Sequence, residues 1–242
     1  MNPEPGEERQ DGQEGEPARS RYPTIVGLAF LALVVYATLN TIRTDDDGIL
    51  GSDTGERGAP LQEFAGPDVR VDLSEGGALD SNIFQDDCET ADNPCPESSR
   101  RTPACRIESA DAIRVCDLFG RPLAISFWFT RGADCLPTQD VFDSVAAEYG
   151  DHVNFLSVNV RDELGEVQGI VRERGWGVPV GWDRDGAVSN IYRVGVCPTV
   201  ALAYPGGILH EARIGADDLS EKALREALDG LIQASRAREA VR

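Results

Sequence analysis

The sequence predicts an α/β sandwich preceded by one transmembrane helix and a long acidic linker. Three observations carry this. Between residues 104 and 235, strand-like apolar runs alternate with helix-like ones; residues 22–42 hold no charge; and most of the acidity lies outside the part that looks foldable. The 242 residues include 42 acids and 23 bases, a net charge of -19. Nucleic acid is excluded as a partner, because phosphate contacts need a basic face. Anionic lipid surfaces are disfavoured for the same reason.

Residues 1–21 carry six acids and three arginines and read as a disordered acidic tail. From Tyr22 to Ile42 the chain is 21 residues without a charge, bounded by Arg21 and Arg43. As a helix this run reaches about 30 Å, one bilayer core. A buried core helix and a cleavable signal peptide are the alternatives. The first is disfavoured by the charged flanks, the second by an n-region that is long and net acidic. Arg19 and Arg21 precede the run, whereas Arg43 is followed by Asp45, Asp46 and Asp47. The positive-inside rule therefore expects a single-pass protein of the cell membrane, N-terminus cytoplasmic, the rest extracytoplasmic.

Residues 43–103 hold fifteen acids, five arginines and only short apolar groups such as Leu61–Ala65 and Val69–Leu73. They read as a tether with pieces able to dock on the domain. All six cysteines, Cys88, Cys95, Cys105, Cys116, Cys135 and Cys197, fall on the outward side, where an even number signals disulfides. The intervals miss usual zinc-ligand spacing, and the only histidines are His152 and His210, so no metal is expected. Cys88 and Cys95 would close a small structural loop at the tether's end.

The folded unit is expected over residues 104–235, with 236–242 a tail. Residues 105–116 alternate around Ala110-Asp111, which predicts a β-hairpin extension with Cys105 opposite Cys116 in a cross-strand disulfide. Residues 122–129 form a continuous apolar run of buried-strand type. A helix follows over 137–149 with Val141, Phe142, Val145 and Tyr149 on one face. Residues 153–160 are strand-like; 163–174 helical, with Leu164, Val167, Ile170 and Val171 inward; 178–182 a short strand. Asp183–Gly186 is a turn leading into a helical turn or two. Residues 200–204 and 208–213 flank Pro205-Gly206-Gly207 as an antiparallel hairpin, and Leu224, Leu228 and Leu231 mark a last helix over 219–235.

The order and spacing of Asp117–Phe129, Val158–Val160, Gly177–Asp183 and Val194–Gly207 resemble the thioredoxin-like fold. Within it they are similar to the membrane-anchored TlpA/ResA-type thiol-disulfide oxidoreductases of bacterial envelopes. The resemblance implies that Pro198 is the family's cis-proline, followed by Thr199. It also exposes a departure: where the family has Trp-Cys-x-x-Cys, this chain places Arg131, Gly132 and, last, Cys135. Glycine cannot attack a disulfide. In this fold the residue before the cis-proline packs against the active-site cysteines, and here it is Cys197, so the resemblance implies a replacement pair, Cys135 with Cys197.

Pro137 in a first helical turn places Cys135 near the positive end of the helix dipole. Arg131 would reinforce a thiolate there and Asp134 oppose it. A peroxiredoxin likeness at Cys135–Gln139 lacks the threonine that would orient peroxide. Two functions are thus expected to compete: an oxidoreductase acting on envelope protein thiols or disulfides through Cys135 and Cys197, and a non-catalytic binding module with structural disulfides. Neither needs a cofactor. No phosphate loop, serine-hydrolase elbow or histidine metal motif is evident.

Overall fold

A computed structural model describes residues 27, 30–36, 58–71, 82–83, 103–109, 111–132 and 135–240. Residues 30–36, within the expected span, are helical. No helix among the described residues is long and apolar enough to cross a membrane. Cys88, Cys95, Asp134 and the acidic tail lie outside the described residues.

The larger unit is built on a five-stranded sheet in the order β6-β5-β4-β7-β8. Its centre is β4 (Leu123–Trp128), buried at every position, which is why it reads as an unbroken apolar run. β4 runs parallel to β5 (Asn154–Val160), and β5 to β6 (Val180–Asp183). On the other side β4 pairs antiparallel with β7 (Thr199–Tyr204), and β7 with β8 (Ile208–Ile214). Helix α1 (Leu136–Tyr149) links β4 to β5, α2 (Leu164–Arg174) links β5 to β6, α3 (Ala187–Ile191) follows β6, and α4 (Glu221–Glu239) closes the chain. This order, with a cis peptide at Cys197-Pro198 before β7, is the thioredoxin-like arrangement.

Side-chain alternation divides the core. Ala124, Val200 and Leu202 point to the face covered by α1 (Phe142, Val145) and α4 (Leu224, Leu228, Leu231). Leu123, Ile125 and Phe127 point to the opposite face, where they meet Val188, Ile191 and Tyr192 and also Leu61 and Phe64. The last two belong to the stretch read as tether. Residues 58–69 form a strap that belongs to the core, so the boundary expected at residue 104 omits part of the folded unit. At one end the Leu209 N–H donates to Ala59 O and the Gly58 N–H to Leu209 O, both at 2.8 Å. At the other end the Val69 N–H donates to Val180 O at 3.0 Å. The strap therefore crosses the sheet from β8 to β6. Tyr192, buried deeply enough to push its phenol well above the ordinary value, donates to Gln62 O at 2.7 Å.

Two further expectations are corrected. Residues 105–116 do not form a hairpin. β3 (Ala112–Arg114) pairs antiparallel with strap strand β1 (Phe64–Pro67), which also pairs with β2 (Asn82–Ile83), and Cys105 sits in a 3-10 turn over Ala104–Arg106. The local alternation suits any antiparallel partner, and the strap supplies one whose pairing also buries Phe64. The Cys105–Cys116 disulfide forms nonetheless, its Cα atoms 5.8 Å apart. The last helix begins at Glu221, capped by Ser220 Oγ accepting from the Ala223 N–H, and runs on to Glu239, so most of the tail expected from residue 236 is helical.

Candidate functional site

The site lies where β4 ends and the cis-proline loop begins. Cys135 is the N-cap residue of α1, with Pro137 at the second helical position, where its missing N–H has no helical partner to lose. Its carbonyl accepts from the Gln139 N–H at 3.0 Å, closing the first turn. A disulfide joins Cys135 to Cys197, with Cα atoms 6.0 Å apart, inside the span of about 7 Å that such a bond tolerates. The bond ties the start of α1 to the residue before Pro198. Pro198 O accepts from the Gly215 N–H at 2.9 Å and Thr199, fully buried, donates its hydroxyl to Val196 O at 2.6 Å, so β8 and Thr199 both fix the loop.

Both cysteines are buried, Cys135 to 1% and Cys197 to 6% exposure, in a cluster with Trp128, Trp176 and Trp182. Trp128 and Trp176 meet edge-on with centroids 5.2 Å apart. Each indole N–H has a fixed acceptor: Ser157 Oγ for Trp128, Asp140 Oδ1 for Trp176, and Asp162 O for Trp182. The tryptophans thus wall the disulfide on rigid anchors. Just before Cys197 the loop is open, with Arg193, Gly195 and Val196 exposed and Val196 at 53%.

Gly132 has φ +84°, a left-handed conformation that side chains rarely adopt, and an added Cβ there would meet nothing within 4 Å. The backbone at Gly132 is therefore one that favours glycine. Arg131 is largely exposed, its Nε 3.9 Å from Asp162 Oδ1. Asp162 was not singled out by sequence reasoning, since it merely follows a strand. It is 3% exposed and accepts from the Thr130 N–H (2.8 Å), the Thr130 hydroxyl (2.9 Å) and Asn159 Nδ2 (2.7 Å), pinning the loop after β4 to the end of β5. Beneath the site the buried Gln139 accepts the Ser126 hydroxyl at 2.8 Å through Oε1, while its Nε2 has no partner among the described residues.

The structure thus brings Cys135, Cys197, Pro198 and Thr199 together, with Arg131 and Gly132 on the adjoining loop. Cys105 and Cys116 pair elsewhere, at the strap. Among the described residues, three metal-ligating side chains converge at Glu63, Cys105 and Cys116, but both sulfurs there are joined to each other. His152 is exposed, and the His210 ring meets that of Tyr204 at a tilt of 53° with centroids 4.8 Å apart.

No protein-family model matches the chain. A thiol-disulfide oxidoreductase ResA of Oceanobacillus iheyensis is 27% identical over 105 residues, 43% of this chain and 55% of that protein. The chain thus spans about half the length of this curated relative. Among solved structures, an uncharacterized conserved protein from Geobacillus kaustophilus matches with a TM-score of 0.50 at 15% identity, covering 73% of this chain and 82% of that one. A putative thioredoxin from Neisseria meningitidis gives 0.47 at 25% identity, over 52% and 85%. A putative thiol:disulfide interchange protein DsbE from Chlorobium tepidum gives 0.47 at 17%, over 51% and 89%.

Proposed function

We propose that this chain is a membrane-anchored, extracytoplasmic thioredoxin-like protein that exchanges disulfides with proteins of the cell envelope through Cys135 and Cys197. The observation that carries this reading is where the disulfide sits. It links the N-cap of α1 to the residue before the cis-proline, the two loops on which the resembled family builds its exchange site. A disulfide is itself a two-electron couple, so exchange with a partner's thiols needs no cofactor. The anchor in this reading is the uncharged run 22–42, with the cysteine-bearing part on the oxidising side.

The near-complete burial of both cysteines favours a second reading, in which the bond is a staple in a non-catalytic binding module. Thiol mapping by mass spectrometry on the full chain separates the two, before and after reduction poised near thioredoxin's potential of about -270 mV. Selective opening of Cys135–Cys197, with Cys105–Cys116 intact, is the result expected of an oxidoreductase. A bond that stays closed leaves the binding module.

A further inference from the structure

The two sulfurs of the bond are not equivalent, and their differences point one way. Cys197 follows the exposed Gly195 and Val196, so a partner chain meets it first; both cysteines share one cluster with Trp128 and Trp176, and Cys135 is the less exposed of the two. Which sulfur is attacked depends on access, and how readily the other departs depends on the stability of its thiolate. Cys135 sits at the N-cap of a 14-residue helix, where among the described residues no side-chain capping bond is made to the first-turn N–H groups of Leu136 and Thr138. Those groups and the helix dipole stabilise negative charge on its sulfur. One turn on, at i+4 on the same helix face, Gln139 carries a buried side-chain amide NH2 that has no partner among the described residues. Cys197 Sγ instead lies 3.7 Å from the carbonyl oxygen of Phe129, which disfavours charge there.

We propose that the mixed disulfide with a partner forms on Cys197, the residue before the cis-proline, and that Cys135 is the resolving sulfur. This assignment rests on the oxidoreductase reading. A thiolate of a partner dithiol attacks Cys197 Sγ; the Cys135–Cys197 bond breaks and its electron pair leaves on Cys135 as thiolate. The partner's second thiolate then attacks the partner's own bonded sulfur and releases Cys197. The partner ends as a disulfide, two electrons poorer, and its two thiol protons pass to Cys135 and Cys197. In the opposite direction Cys197 attacks the partner's disulfide and Cys135 resolves, so the same residue carries the mixed disulfide.

Glutathione serves as the probe. The oxidised full-length chain is exposed to reduced glutathione, trapped with acid, and the adduct located by peptide mass spectrometry; adduct on Cys197 is expected. In parallel, reduced Cys135→Ser and Cys197→Ser variants are given oxidised glutathione. The Cys135→Ser variant, which keeps the more accessible Cys197, is expected to form its adduct faster, access outweighing the smaller thiolate fraction at Cys197. Adduct on Cys135 in the wild-type trap, or faster reaction of the Cys197→Ser variant, overturns the assignment while leaving exchange itself standing. A wild-type bond that glutathione never opens overturns the oxidoreductase reading and the assignment with it. The wild-type trap does not depend on either variant folding.

Discussion

The ring of Phe64 meets the ring of Tyr192 edge-on, with centroids 5.5 Å apart and planes at 88°. Phe64 comes from the stretch between the expected span and the domain, Tyr192 from the end of α3 just before the cis-proline loop. The contact fixes the strap in the same core that supports the site.

Truncating this ring is expected to be costly. Phe64→Ala leaves a cavity in a cluster that includes Val188, Ile191 and Tyr192, and should lower unfolding free energy by about 3–5 kcal/mol. Denaturant unfolding at fixed redox state measures it. A chain begun at residue 104 should unfold at still lower denaturant, because it lacks Leu61, Phe64 and Val69 together.

The bond between Cys135 and Cys197 spans 62 residues of sequence. Loop-closure entropy assigns such a cross-link about 4 kcal/mol. Replacing both cysteines by serine should therefore lower the denaturant midpoint strongly. A wild-type midpoint that moves equally on mild reduction would identify the same bond as the one opened.

Gly132 is expected to tolerate no side chain without strain, although the space around it is open. Gly132→Ala should cost about 1 kcal/mol, and Gly132→Cys, which restores the resembled spacing, carries the same backbone penalty. Equal stability of the alanine variant and the wild type would contradict the left-handed conformation.

Asp183 gives the folded unit a pH dependence of definite sign. Burial pushes its carboxyl above the ordinary 3.8, only partly offset by the Ser189 and Val188 N–H groups that donate to it. Its protonated form is favoured by folding, so that stabilisation is full below 3.8 and is lost as pH rises through the higher folded value. The stability of wild type relative to Asp183→Asn should fall as pH rises from below 3.8 through the higher folded value. A relative stability that rises over that range would reverse the sign.

Much of the five-stranded sheet was legible because each segment's apolar period is satisfied within it or by its immediate neighbours. The run at residues 122–129, the paired runs either side of Pro205–Gly207 and the leucines of α4 all lie within a few residues of their expected positions. What escaped was long-range. Ile113 faces Gly66, 47 positions earlier in the chain, a pairing that no local pattern encodes, and Leu61 and Phe64 stand among acids and glycines that read as solvated tether. Asp162 was missed because its significance comes from Thr130 and Asn159 converging on it. Cys135 and Cys197 could be set side by side only through the resemblance; their spacing alone says nothing.

The strap's pairing has a consequence for how the protein keeps to itself. β6 and β8 are the two outer strands of the sheet, and each would present unpaired N–H and C=O groups as a template for another chain. The chain's own residues 58–60 occupy part of one border and Val69 part of the other. A protease cut between Pro60 and Phe64 would therefore free the residues that cover the β8 border, while Val69 stays joined to the folded chain beside β6. The clipped protein should then self-associate, as sheets with open borders do.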